Sequence, residues 1–278
     1  MNFTNKNILL LIAGIIGLIP VVIYNTRYKT ASITPNLISI MFDKPEAKND
    51  YYTGILPNQN NGNKAAYLAW LTQEETALWK DVENLTGISF DECKTLRAEF
   101  QQAHDKESAD LIKQLSLNKD VSPHIKEIIE SVVRDLGCQP LEIISCEYPV
   151  AAATHGPVVF VNEEIFNTMS TLAQKFVVGH EIIHILLQDD ETRFVFKNKG
   201  FFTNEKSLEY AMNKLYRFQE LRADMLAALT NADYAQGYNE YVHNALSRRD
   251  GEEITELFYP TYALRQTTSE KIQKILVA

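Results

Sequence analysis

The sequence predicts a mainly α-helical fold with a small β-sheet, an α+β architecture built around one buried helix. Helical periodicity dominates from Lys64 to the C-terminus, and only two short segments read as strands. One helix, Leu172 to Gln188, is apolar on every side, yet it carries His180, Glu181 and His184. The chain has 278 residues, 45% of them hydrophobic and 23% charged. That composition excludes a disordered, collagenous or low-complexity protein, and the length suits one large domain or two small ones. With 27 Lys+Arg against 36 Asp+Glu the net charge is -9. The acidic balance argues against a nucleic-acid partner, which needs a basic face to displace counterions. Three cysteines are too few for a disulfide scaffold.

Residues 1–30 are expected to be an N-terminal membrane anchor. Ile8 to Tyr24 is an uncharged apolar run, at the short end of what crosses a bilayer, with Lys6 before it and Arg27 and Lys29 after it. No small-x-small cleavage site follows, so an uncleaved single-pass transmembrane helix is preferred to a removed signal peptide. The flanking charge is nearly balanced. The preferred topology puts the rest of the chain on the extracytoplasmic, periplasmic side. Residues 31–63, rich in Asn and Pro, read as a linker. Up to Asn63 there are 5 Lys+Arg and 3 Asp+Glu, which leaves 22 against 33, or -11, beyond it.

Residues 64–121 form a helical lead-in, with Leu68, Leu71, Leu78, Trp79, Leu96, Phe100, Leu111 and Leu115 at amphipathic spacing and Cys93 expected in its core. The remaining residues, 122–278, form the core that carries the chemistry. Ser122-Pro123 opens a helix and Gly137 closes it. Strands are expected near Leu141–Cys146 and Val158–Val161, with helices thereafter. Cys138 and Cys146 are close enough either to bridge two neighbouring elements or to stand as separate buried thiols.

The pair His180 and His184 lies on one face of its helix, so both imidazoles can reach one cation. Glu181 is rotated by about 100°, where a carboxylate can act on a water beside the metal without being a ligand. Shuffling this composition gives roughly 0.02 such His-acid-x-x-His spacings per chain. Phe176, Val177, Val178, Ile182, Ile183, Ile185, Leu186 and Leu187 surround the site. Ionisable groups inside such a helix need compensation, which a divalent metal provides. A catalytic zinc takes three protein ligands, so a third is required. Glu220 is the preferred candidate, with Glu205 and Glu209 as fallbacks. On its helix Leu215, Phe218, Leu221, Met225 and Leu229 form one face, while Glu220 lies opposite, with Asp224 close by. That second face carries Ala223 and Ala227 where a solvated face would carry long lysines.

With these motifs the sequence resembles the gluzincin peptidases related to bacterial HtpX and the CAAX prenyl endopeptidases, from about Ser122 to the C-terminus. The resemblance implies a zincin-like metallopeptidase core holding one Zn2+ through His180, His184 and Glu220. Glu181 would be the general base, and Asp224 would orient a ligand imidazole, most plausibly that of His180. The segment PVAAATHGPVVFVNEEIF, from Pro149, resembles the family's P-N-A-F-A-T segment followed by an edge strand and a short helix, with Val150 in place of the Asn. It implies that Val158, Val159, Phe160 and Val161 form an exposed edge strand that pairs with substrate. YPTYALR, from Tyr259, resembles the family's H-P-x-x-x-x-R motif; Pro260 and Arg265 match, and Tyr259 replaces the His. Tyr259 is therefore expected either to donate to the reaction's oxyanion or to serve in packing, with His155 and Tyr262 as alternative donors.

The function expected from these readings is a membrane-anchored zinc metalloendopeptidase, hydrolysing peptide bonds with a zinc-activated water and acting on protein or peptide substrates. The alternative is a membrane-tethered binding or scaffold protein that keeps the fold and has lost catalysis. The two replaced motif positions favour that alternative, and the intact Glu181 opposes it.

Overall fold

The computed structural model describes residues 64–115, 120–147, 150–198, 205–246 and 259–276, with side chains over most of them. The anchor expected over residues 8–24 and the linker 31–63 lie outside the described residues. Among the described residues, no helix is long and apolar enough to cross a membrane.

The lead-in is two helices, α1 (Lys64–Thr86) and α2 (Phe90–Leu115). α1 buries Tyr67, Leu71, Leu78, Trp79 and Val82, the i, i+4, i+7 stripe that the sequence spacing requires, while Leu68 faces solvent. Cys93 and Leu96 of α2 are buried. These helices belong to the same compact unit as the remaining described residues. α1 lies on the helix Glu205–Ala228 and α2 lies on the helix Asp189–Asn198, so the lead-in is packed into the core and is no separate domain.

α3 (Pro123–Leu136) begins on Ser122 with Pro123 in its first turn. It ends on Gly137, whose φ of 65° lets its amide reach back to the carbonyl of Arg134. Three strands follow: β1 (Glu142–Ser145), β2 (Ala152–His155) and β3 (Val158–Val161). The sheet order is β1-β3-β2. β3 pairs in parallel with β1 and antiparallel with β2, from Ala152 opposite Val161 to His155 opposite Val158. The expected edge strand Val158–Val161 is therefore the central strand. Both its hydrogen-bonding sides are used, and Val158, Val159, Phe160 and Val161 are all buried. Among the described residues, the strand with an unpaired edge that packs beside the helix Thr171–Leu187 is β2.

Asn162 then caps the short α4 (Glu163–Phe166), its side-chain oxygen accepting from the amides of Glu164 and Ile165. α5 (Thr171–Leu187) starts on Ser170, whose hydroxyl accepts from the Ala173 amide. Gln188 ends α5 in the left-handed region (φ 56°), and α6 (Asp189–Asn198) begins at the next residue. α7 (Glu205–Ala228), α8 (Ala232–Tyr241) and α9 (Tyr262–Leu276) complete the fold. One hydrophobic core joins Ile125, Ile129 and Val132 of α3 to Val159 and Val161, to Val178 and Ile182 of α5, and to Tyr234 of α8. α8 crosses α5 where Gly237 meets the Leu172 carbonyl; a Cβ at Gly237 would stand 2.1 Å from that oxygen. Cys93, Cys138 and Cys146 form no disulfide, so Cys138 and Cys146 do not bridge.

Candidate metal centre

Helical spacing puts His180 and His184 on one side of α5, and α7 crosses that side with Glu220. All three residues are buried, at 7%, 7% and 6% exposure. One ligand atom from each lies within 4.8 Å of the other two. The His180 and His184 Nε2 atoms are 3.0 Å apart. Glu220 places Oε2 3.2 Å from the first and Oε1 3.5 Å from the second.

The opposite ring nitrogens fix what these Nε2 atoms can do. His180 Nδ1 donates to Asp224 Oδ1 at 2.9 Å, and His184 Nδ1 donates to Asp189 Oδ2 at 2.8 Å. In neutral imidazoles each Nε2 is then a bare lone pair, aimed at the other and at a carboxylate. Three acceptors meeting in a buried space need a shared positive charge, and this donor set suits a divalent cation. The wider charge count agrees. Glu75, Asp189, Glu220 and Asp224 are ion-paired with Arg193, Arg222 and Arg265, and Glu181 lies within electrostatic reach of Glu220, a formal -2 with neutral imidazoles. The buried group His180, His184 and Glu220 can hold a metal ion.

The same field acts on the side chains themselves. Burial disfavours a charged His180, yet Asp224 and Glu220 hold its pKa well above the usual imidazole range. His184 is raised against the same burial by Glu220 and Asp189. Burial would raise Glu220, but His184 and His180 keep it well below the usual carboxylate range. Glu181 is less enclosed than the ligand residues. Burial pushes its pKa up, Glu220 adds to that, and Thr154 of β2 donates to its Oε2 at 3.1 Å.

Asp224 is fully buried. It accepts from Arg265 Nε and Nη2, both at 2.6 Å, and from the Tyr238 hydroxyl at 3.1 Å, as well as from His180. Burial raises the Tyr259 hydroxyl above its ordinary pKa; Glu220 and Glu181 raise it further and Arg193 opposes them. Tyr259 thus stays protonated within electrostatic reach of both Glu220 and Glu181. Tyr262 begins α9 half-buried, and His155 turns to Asp190, with Nδ1 2.8 Å from Oδ2. The side chains of Glu205 and Glu209 lie outside the described residues. Val158–Val161 lines the sheet interior and offers no edge to the site.

Comparison of the chain with protein-family models, curated proteins and solved structures gives no significant match.

Three participants go beyond the sequence reading. Asp189 holds His184, Arg193 Nη2 donates to Glu220 Oε1 at 3.1 Å, and Arg222 Nη2 donates to Asp189 Oδ1 at 2.5 Å. A signal for Asp189 existed in its position, five residues past His184 and just beyond the end of the apolar run. The two arginines had none, since long flexible side chains reach the site from helix positions that periodicity does not mark.

Proposed function

We propose that this chain is a membrane-anchored zinc metalloendopeptidase of the gluzincin type, with a zincin-like core. The observation that carries the reading is the buried meeting of His180 Nε2, His184 Nε2 and the Glu220 carboxylate beside the less enclosed Glu181. Two imidazoles and a carboxylate form a ligand set suited to catalytic zinc. Bound there, zinc would supply Lewis acidity, acidifying water and polarising a peptide carbonyl.

The chain's own residues do the rest. Glu181, with its pKa raised and Oε2 held by Thr154, takes a proton from the attacking water and delivers it to the leaving amine. Asp224 and Asp189 hold the two imidazoles in the tautomer that turns Nε2 inward. Tyr259 donates its phenolic hydrogen to the oxygen on which negative charge develops. An extended substrate adds along the free edge of β2, which Thr154 ties to Glu181, so backbone shape is read more than side chains. The apolar run at residues 8–24 anchors the chain in the bilayer, with the site on the extracytoplasmic face.

The test uses the full chain in detergent. Chelator-sensitive cleavage of casein, with one zinc per chain by elemental analysis, is expected. Glu181→Gln should keep the zinc and lose cleavage, whereas Glu220→Gln should lose the zinc. A wild-type protein that holds zinc but cleaves nothing would instead identify the scaffold alternative.

A further inference from the structure

The lead-in helices reach the metal centre through a chain of charges. Glu75 sits on the buried side of α1, one turn from Leu71 and Leu78, and ion-pairs with Arg222 Nη1 of α7. The other arm of the same guanidinium donates to Asp189 Oδ1 at 2.5 Å. The second oxygen of Asp189 takes the Nδ1 hydrogen of His184, whose Nε2 is one of the three converging ligand atoms. Asp189 is 1% exposed and Arg222 8%, so the inner links are dry, while the Glu75 side chain keeps 30% of its surface.

We infer that Glu75 is a positioning residue of the metal centre, acting on His184 through Arg222 and Asp189, so that the lead-in helix is a working part of the site. This rests on the metal-binding half of the proposed function and is independent of proteolysis.

The physical argument has two parts. A guanidinium is planar and presents its donors as a rigid fork, so holding one arm on Glu75 fixes the direction of the other towards Asp189. Arg222 also divides its charge between two carboxylates. When Glu75 is made neutral, the whole charge bears on Asp189 and draws electron density away from the oxygen that accepts from His184. The imidazole then becomes a poorer donor at Nε2, and the metal is held less tightly. Partners that touch a ligand directly change metal affinity by about 10- to 100-fold, so a group two bonds further out should change it by about 3- to 10-fold.

A second ion pair on the same helix provides the control. Asp81 of α1 lies 3.5 Å from Lys214 of α7, joining the same two helices by a pair that is not a link of the Glu75–Arg222–Asp189–His184 chain. Metal affinity of full-length protein would be measured by chelator competition with zinc. The d–d spectrum would be recorded after cobalt(II) loading, for wild type, Glu75→Gln and Asp81→Asn, with thermal unfolding to register loss of helix docking. The expected result is a zinc affinity about 3- to 10-fold weaker and a shifted cobalt spectrum in Glu75→Gln, with both unchanged in Asp81→Asn. If the two variants weaken binding equally, docking of α1 is responsible and the inference is overturned. If Glu75→Gln binds as wild type does, it is likewise overturned while the metal reading stands. A wild type that binds neither metal ends both.

Discussion

Asp224→Asn separates what this carboxylate does for the fold from what it does for the metal. Asp224 accepts four hydrogen bonds, from His180 Nδ1, the Tyr238 hydroxyl and two Arg265 nitrogens, with no exposed surface. Asparagine keeps the shape but replaces one accepting oxygen with a donating amide, which must face either the imidazole N–H or the guanidinium. It also leaves Arg265, itself 5% exposed, as a buried charge without its counter-ion. Breaking one side of a buried ion pair costs about 3–5 kcal/mol. For a folded unit of this size that is a fall of roughly 6–20 °C in Tm. Loss of the group orienting His180 should weaken zinc binding by about 10- to 100-fold. Circular dichroism melts with and without zinc, together with chelator competition, measure the two effects. The double variant Asp224→Asn with Arg265→Met removes the stranded charge. It should recover most of the Tm while leaving affinity low, because the neutral amide oxygen is a weaker acceptor for His180 Nδ1 than the carboxylate it replaces. If the single variant melts and binds as wild type, the role assigned to Asp224 is wrong; recovery of both quantities in the double variant would trace the affinity loss to general loosening.

Four further variants have expected outcomes. Tyr259→Phe should lower kcat by about 100- to 1000-fold with zinc content and KM unchanged, read from peptide hydrolysis; an unchanged kcat assigns Tyr259 to packing. Gly237→Ala should destabilise by about 1–3 kcal/mol or more and weaken zinc binding, since its Cβ collides with the Leu172 carbonyl at the start of the metal helix. Gly137→Ala, strained only by its left-handed φ in open space, should cost about 1–2 kcal/mol and leave zinc binding alone; equal loss of affinity in both variants would count against the packing argument. Asp190→Asn should be most destabilising between pH 4 and 6.5, by urea unfolding across pH. Asp190 resists burial through His104 and His155 and is depressed, so its contribution is present above about pH 4 and is lost as pH falls through its folded value. His104 is raised by Asp190 despite burial, so its contribution is full below about pH 6.5 and is lost as pH rises through its folded value. A penalty that grows towards alkaline pH would contradict this pairing.

The metal centre was legible where helical periodicity alone sets direction. His180 and His184 follow from a four-residue spacing, and the small Ala223 and Ala227 beside Glu220 and Asp224 marked a face that another helix covers. The helical character of the lead-in and the ends of α3 were also readable, through apolar spacing, Pro123 and Gly137. Strand order was not. Val158–Val161 is apolar at every position, which is the pattern of a strand covered on both faces, and that pattern spoke for a central place against the edge place implied by resemblance. β2 went unread because Ala152–His155 has neither alternation nor β-branched density. Asp189 was marked only by its place just past the apolar run; its turn towards His184 depends on the backbone reversal at the left-handed Gln188, which composition does not signal.

That reversal has a consequence for spacing along the chain. Gln188 lets α6 start immediately after α5, so two consecutive aspartates occupy the first positions of the new helix and diverge by about 100°. Asp189 turns inward to His184, while Asp190 turns across to His104 of α2, His155 of β2 and the Gly156 amide. The phase of one helix thus keeps two separate pieces of structure in step, His184 on one side and the lead-in with the β2–β3 hairpin on the other. Adding or deleting a single residue at position 188 would rotate both aspartates by about 100° in the same sense and take each away from its own partners, so this short junction tolerates substitution far better than any change of length.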